Sequence, residues 1–193
     1  MNQDEISVEL HAALSAKDGA RVLKLSERLL ALEIGSRPYE SGYLIRGMAY
    51  ELGGGGLLRD LQRAEANYRQ SAIRTPDSIP LLYLARVLLE QGPSRREEVL
   101  RYIDEAKRLR MVPEVHLAYA RYYEDGGSSE DFCEARRHYR RAAICGRYRG
   151  YFGYSRVLRT QGLNELAVLV DVLRVLLAPI NLLLFGRATR RGL

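Results

Sequence analysis

Apolar and small residues recur along this chain at helical spacing, in stripes separated by glycine-bearing breaks. Ala64, Tyr68 and Ser71 in RAEANYRQSA are set apart by offsets of four and seven, as are Val99, Ile103 and Ala106 in EEVLRYIDEA and Ala135, Tyr139 and Ala142 in CEARRHYRRAA. Those offsets put each trio on one helix face, and their small members let a neighbouring helix come close. Four further segments open on a small residue and close on glycine: GMAYELG (Gly47–Gly53), ARVLLEQG (Ala85–Gly92), ARYYEDG (Ala120–Gly126) and SRVLRTQG (Ser155–Gly162). The closing glycines stand 39, 34 and 36 residues apart. Each suits a helix C-terminus, where the backbone often needs positive φ. Pro80 and Pro113 fall early in the following segments, where proline tolerates a helix start.

Two antiparallel helices recurring at this interval predict an all-α protein, a short right-handed α-solenoid of about four to five hairpins. Residues 1–40 read as an N-terminal cap or diverged repeat, with Ile6, Leu10, Ala13, Leu14, Val22, Leu25, Leu29 and Leu32 as its apolar positions. Residues 41–162 are the repeats, and 163–193 an apolar C-terminal helix with a basic tail. Repeat packing is assigned to Gly47, Ala64, Tyr68, Ala85, Val99, Ala106, Ala120, Ala135, Tyr139 and Ala142. The run GGGGLLRD, Gly53–Asp60, lacks the Lys-Ser/Thr of a phosphate loop and reads as a flexible helix-to-helix connection.

The alanine–tyrosine–alanine second helix and the variable loops GGGGLLRD and GGSSED (Gly126–Asp131) resemble tetratricopeptide-like repeats, most closely the Sel-one-like subclass. The resemblance covers Gly42–Gly162; it departs from the pattern where Ile103 replaces tyrosine and where the Leu-Gly opening is missing. It implies a protein-binding scaffold or adaptor, in bacteria often at the cell envelope, in polysaccharide synthesis or secretion.

The last segment, NELAVLVDVLRVLLAPINLLLFGRATRRGL, is far more apolar than the rest. From Leu166 to Phe185 the strongly polar residues are Asp171, Arg174 and Asn181. On a helix these three fall within an arc of about 80°. Pro179 removes a backbone donor and is expected to kink or divide the helix near Val175. Three placements compete: a membrane-spanning helix, the last buried helix of the solenoid, and a helix lying on lipid or a partner. An apolar arc of about 280° is more than one neighbouring helix buries, so lipid, a second copy of the chain or another protein is expected to cover it. The contact residues are Leu176, Leu177, Ile180, Leu183, Leu184 and Phe185. Arg187, Arg190 and Arg191 follow them, placed for anionic groups.

Charge sharpens this picture. Residues 1–126 carry 18 Lys and Arg against 19 Asp and Glu, whereas residues 127–193 carry 12 against 5. Arg136, Arg137, Arg140 and Arg141 lie opposite Phe132, Ala135, Tyr139 and Ala142 on one helix, a solvated face also able to meet phosphates. Tyr119, Tyr122, Tyr123, Tyr139, Tyr148, Tyr151 and Tyr154 crowd the same basic half, which keeps a basic RNA-binding solenoid as the alternative function.

Catalytic chemistry is thin. No nucleophile signature stands out, and Cys133, His138 and Cys145 on one helix do not converge on a metal, so no enzyme activity and no cofactor is expected. The two cysteines read as small core residues, about 18 Å apart along the helix and too far for a disulfide. Convergence of His116, His138 and a carboxylate in a pocket would reopen the enzyme reading. The acidic N-terminus MNQDEISVEL lacks a signal-peptide pattern, so a cytoplasmic place, at the inner face of the membrane, is expected. Protein partners on the repeat surface come first among partners, with a homo-oligomer open and nucleic acid less favoured.

Overall fold

The structure, a computed structural model, describes the backbone of residues 3–32 and 37–185 and the side chains of 5–32 and 41–176. Ten α-helices are present among the described residues, and no strand beyond an isolated bridge between Gly54 and Leu57. They form two compact units, residues 1–110 and 111–193.

The first unit holds α1 (Gln3–Ser15), α2 (Gly19–Leu30), α3 (Arg37–Leu52), α4 (Leu61–Arg74), α5 (Ser78–Glu90) and α6 (Arg96–Leu109). Each helix packs on the one before it, giving three successive hairpins. The N-terminal stripes bury Ile6, Leu10, Ala13, Val22, Leu25 and Leu29 against Ile45 and Ala49 of α3, while Leu32 stays outside this core. Local signals set the ends. Asp18 and Asp60 accept from the backbone N–H of Arg21 and Arg63, at 3.0 and 2.9 Å, and so cap α2 and α4. Helix α5 buries Leu81, Leu82, Leu84, Ala85, Val87 and Leu88, as expected of an element with helices on both sides.

The glycine run is an ordered clasp and not the flexible connection expected of it. Gly53 and Gly54 accept hydrogen bonds from the N–H groups of Gly19 and Ala20, at 2.7 and 3.2 Å. The loop thereby satisfies two orphan donors at the start of α2. Gly53 to Gly56 all have positive φ, and a Cβ on Gly54 or Gly55 would collide with the Lys17–Asp18 turn. Glycine alone meets both demands without strain.

The second unit holds α7 (Pro113–Gly126), α8 (Ser129–Ile144), α9 (Tyr148–Thr160) and α10 (Asn164–Phe185), again packed in succession. Pro113 opens α7, and Ser128 and Asp131 form a capping box at the start of α8, two local signals that fix helix starts. The left-handed residue after α7 is Gly127, with φ 74°, one position beyond the expected Gly126. Pro179 does not divide the last helix: α10 runs through it to Phe185 as one element. Proline's fixed φ is itself helical, so the ring removes one hydrogen bond without forcing a break.

Candidate functional site

Two buried tyrosines organise the units in the same way. In the first, the Tyr68 ring is fully buried over Gly47, where a Cβ would occupy the space of the ring. Its hydroxyl donates to Glu51 Oε2 at 2.6 Å, and Arg86 donates to the same oxygen at 2.6 Å. Burial, reinforced by the Glu51 carboxylate, drives the Tyr68 pKa far above the usual phenol value. In the second unit, Tyr139 lies over Gly153 and donates to Glu124 Oε2 at 2.6 Å. Arg156 forks onto both oxygens of Glu124, a charge-assisted pairing. Burial and Glu124 likewise raise the Tyr139 pKa. Both phenols are therefore locked neutral donors that stitch helices together.

The first unit adds a charged network. Arg69 donates to Glu65 and Glu98, Arg95 donates to the same two carboxylates, and Tyr102 accepts from Arg69 at 2.7 Å. Burial pushes the Glu65 carboxyl up, but hydrogen bonds from Gln91, Arg69 and Arg95 outweigh it and hold the pKa below the ordinary value. Burial acts on Glu98 in the same direction, and bonds from Arg69 and Arg95 overcome it to leave that pKa low as well. A shallow open cleft of about 530 Å³ beside this network is lined by Ser94, Arg95, Glu97, Glu98 and Arg101.

Two of the three histidines meet. His116 on α7 and His138 on α8 place their Nδ1 atoms 3.1 Å apart, so one donates and the other accepts. The His138 ring packs on Tyr119 and Tyr123, at centroid distances of 4.8 and 5.9 Å, a spacing typical of paired rings. Among the described residues no group of three or more His, Cys, Asp or Glu side chains is arranged to hold a metal. Cys133 and Cys145 are both exposed thiols and not core residues. They lie beside the buried Ala135–Tyr139–Ala142 stripe of α8 and not on it.

Of the residues assigned to repeat packing, all ten are buried, from Gly47 to Ala142. The contact residues assigned at the C-terminus divide. Leu176 is 63% exposed; the side chains of Leu177, Ile180, Leu183, Leu184 and Phe185 fall outside those described, and Arg187, Arg190 and Arg191 lie outside the described residues altogether.

The described part of α10 is inverted relative to a helix that faces water. Beyond the exposed Asn164 and Glu165 of its first turn, its polar residues turn inward: Asp171 pairs with Arg159 of α9 and with Arg174 at 3.6 Å. The Arg174 guanidinium lies 4.0 Å from the centre of the Phe152 ring, within cation–π range. Hydrogen bonds from Arg159 hold the Asp171 pKa below the usual carboxylate range. Ala167 is buried on the same side. Outward, Leu166, Val168, Leu169, Val172, Leu173, Val175 and Leu176 stand 42% to 63% exposed. At about 100° per residue they cover about half the helix circumference, and the one acid on that arc is Glu165 in the first turn, before the run begins. No helix among the described residues is long and apolar enough to cross a membrane.

Sequence reasoning missed Glu51, Arg86, Glu124 and Arg156. A signal existed. The glutamates stand four residues after the small positions Gly47 and Ala120, in the two units that keep tyrosine; the unit with Ile103 has Leu89 in that column. The partner of a buried phenol varies together with the phenol.

The architecture is a tetratricopeptide-like helical repeat fold. No family model and no curated protein matches the sequence. Among solved structures, the fold is similar to the crystal structure of MamA protein, with a TM-score of 0.52 at 14% identity, over 97% of this chain and 94% of that one. At that identity the likeness shows the fold alone.

Proposed function

We propose that this chain is a non-catalytic scaffold, a short α-solenoid of the Sel-one-like kind that grips a protein on its repeat surface and lies against a membrane through α10. The single observation that carries the membrane part is the inverted polarity of α10. Water favours the opposite arrangement, with Asp171 and Arg174 outside and the aliphatic residues against α9. A continuous outward face of seven leucines and valines exceeds the scattered apolar exposure of an ordinary surface and marks an interaction site. The charged Asp171–Arg174 pair on the other face of α10 suits a helix lying in the lipid headgroup boundary better than one spanning the bilayer. The scaffold part rests on the tetratricopeptide-like fold and on phenols that are tied to carboxylates and buried away from any substrate. An envelope assembly in bacteria, in polysaccharide synthesis or secretion, is the setting this suggests.

Flotation with phosphatidylcholine vesicles tests the membrane part. The full chain floats, and the triple variant Leu169→Glu, Val172→Glu, Leu176→Glu, altered only at exposed positions, stays at the bottom of the gradient. A full chain that stays at the bottom and sediments as a discrete dimer would instead make α10 a protein interface.

A further inference from the structure

Resting on the membrane reading of α10, we infer that the corner between α8 and α9 is a second lipid contact, one that selects anionic headgroups through Arg140, Arg141 and Arg149. These three side chains are exposed and pair with no carboxylate among the described residues, whereas Arg137, Arg147, Arg156 and Arg159 of the same unit all have acidic partners. Arg141 lies in the last turn of α8, where the dipole favours a cation, but other features of their placement do not help the helices. Arg136 and Arg140, and likewise Arg137 and Arg141, are like charges four apart on α8, an unfavourable spacing. Arg149 sits in the first turn of α9, and no acidic residue compensates it there; the helix dipole disfavours a cation at that end. The three guanidinium groups therefore stand open to an anion outside the chain.

Exposed apolar side chains lie close to them in sequence. Ile144 is 71% exposed in the last turn of α8, and Tyr148 and Phe152 are exposed on the first turns of α9. Arginines interleaved with an aliphatic side chain and aromatics match the headgroup boundary, where cations meet phosphates and rings sit at the edge of the acyl region. The most exposed apolar side chain here is the aliphatic Ile144, which suits the acyl boundary and gives a base no ring to stack on. Arg174 lies over one face of the Phe152 ring, and Tyr148 meets it in a T-shaped contact at a centroid distance of 5.3 Å.

The test compares the full chain with the variant Arg140→Gln, Arg141→Gln, Arg149→Gln, and with its Glu counterpart, on vesicles of phosphatidylcholine alone and with about a third phosphatidylserine. Circular dichroism controls for folding, and the three exposed sites are not part of the packing. The full chain should bind serine-containing vesicles at least about tenfold more tightly than neutral ones, with the preference fading in high salt. The Gln variant should lose that preference while still binding neutral vesicles, and the Glu variant should bind the serine-containing vesicles more weakly than the neutral ones. If the Gln variant keeps the full preference, the inference falls and the docking of α10 stands. If the full chain binds no vesicle, both fall. Should it bind a uridine oligomer through these arginines and show no preference for serine lipids, the occupant is nucleic acid and the inference is wrong.

Discussion

Replacing Tyr68 with Phe removes one oxygen from the centre of the first unit and leaves the ring in place. The hydroxyl donates to Glu51 at 2.6 Å, and the side chain is fully buried. A hydrogen bond to a charged group contributes about 1.5–3 kcal/mol. Glu51 keeps its bond from Arg86, so the carboxylate is not left bare and the loss belongs near the lower end of that range. For a chain of this size about 1.5 kcal/mol corresponds to a fall in Tm of roughly 3–6 °C, read by circular dichroism. A double-mutant cycle with Glu51→Gln isolates the pair, and a coupling of about 1 kcal/mol or more is expected of groups in direct contact. If Tyr68→Phe melts with the parent and the two substitutions add, the account of a buried phenol tied to its carboxylate is wrong.

Other consequences follow from the same packing. Gly153→Ala puts a methyl group into the Tyr139 ring. It should destabilise the second unit by about 1–3 kcal/mol in urea unfolding, and an unchanged midpoint would contradict the close approach. Gly54→Ala meets both a positive φ of 87° and the Lys17 carbonyl, whereas Gly56 has open space around its Cβ position. The first substitution should therefore lower Tm and Gly56→Ala should be the milder change. Glu65 and Glu98 have folded pKa values depressed below their unfolded ones. Their stabilisation is present above about pH 4.5 and lost as the pH falls through the folded values. Denaturant midpoints should decline as the pH is taken down through that window, and less steeply in Glu65→Gln. Asp171→Asn weakens the tie to Arg159 and should increase amide exchange along α10 while leaving α7 unchanged.

Helix periodicity was legible because each stripe is local: Ala64, Tyr68 and Ser71 announce their face within two turns, and all three are buried. What escaped is what depends on contacts between helices. Glu51 reads as an ordinary surface residue until α4 and α5 bring Tyr68 and Arg86 to it. The four glycines look like slack because composition does not reveal that their carbonyls and tight backbone fit the α1–α2 turn. In α10 the narrow polar stripe was visible in the spacing of Asp171 and Arg174, but only the position of α9 decides that the stripe faces protein. Pro179 does not divide α10, because a proline's local cost does not by itself end a helix.

The chain contains no tryptophan, so Val172→Trp introduces a single reporter at the middle of the outward face of α10, at a position 50% exposed. Its emission should shift to the blue on adding phosphatidylcholine vesicles and be quenched by lipids brominated on their acyl chains. Emission that stays at the wavelength of water-exposed indole, unquenched at saturating lipid, would contradict a scaffold held to the membrane by this helix.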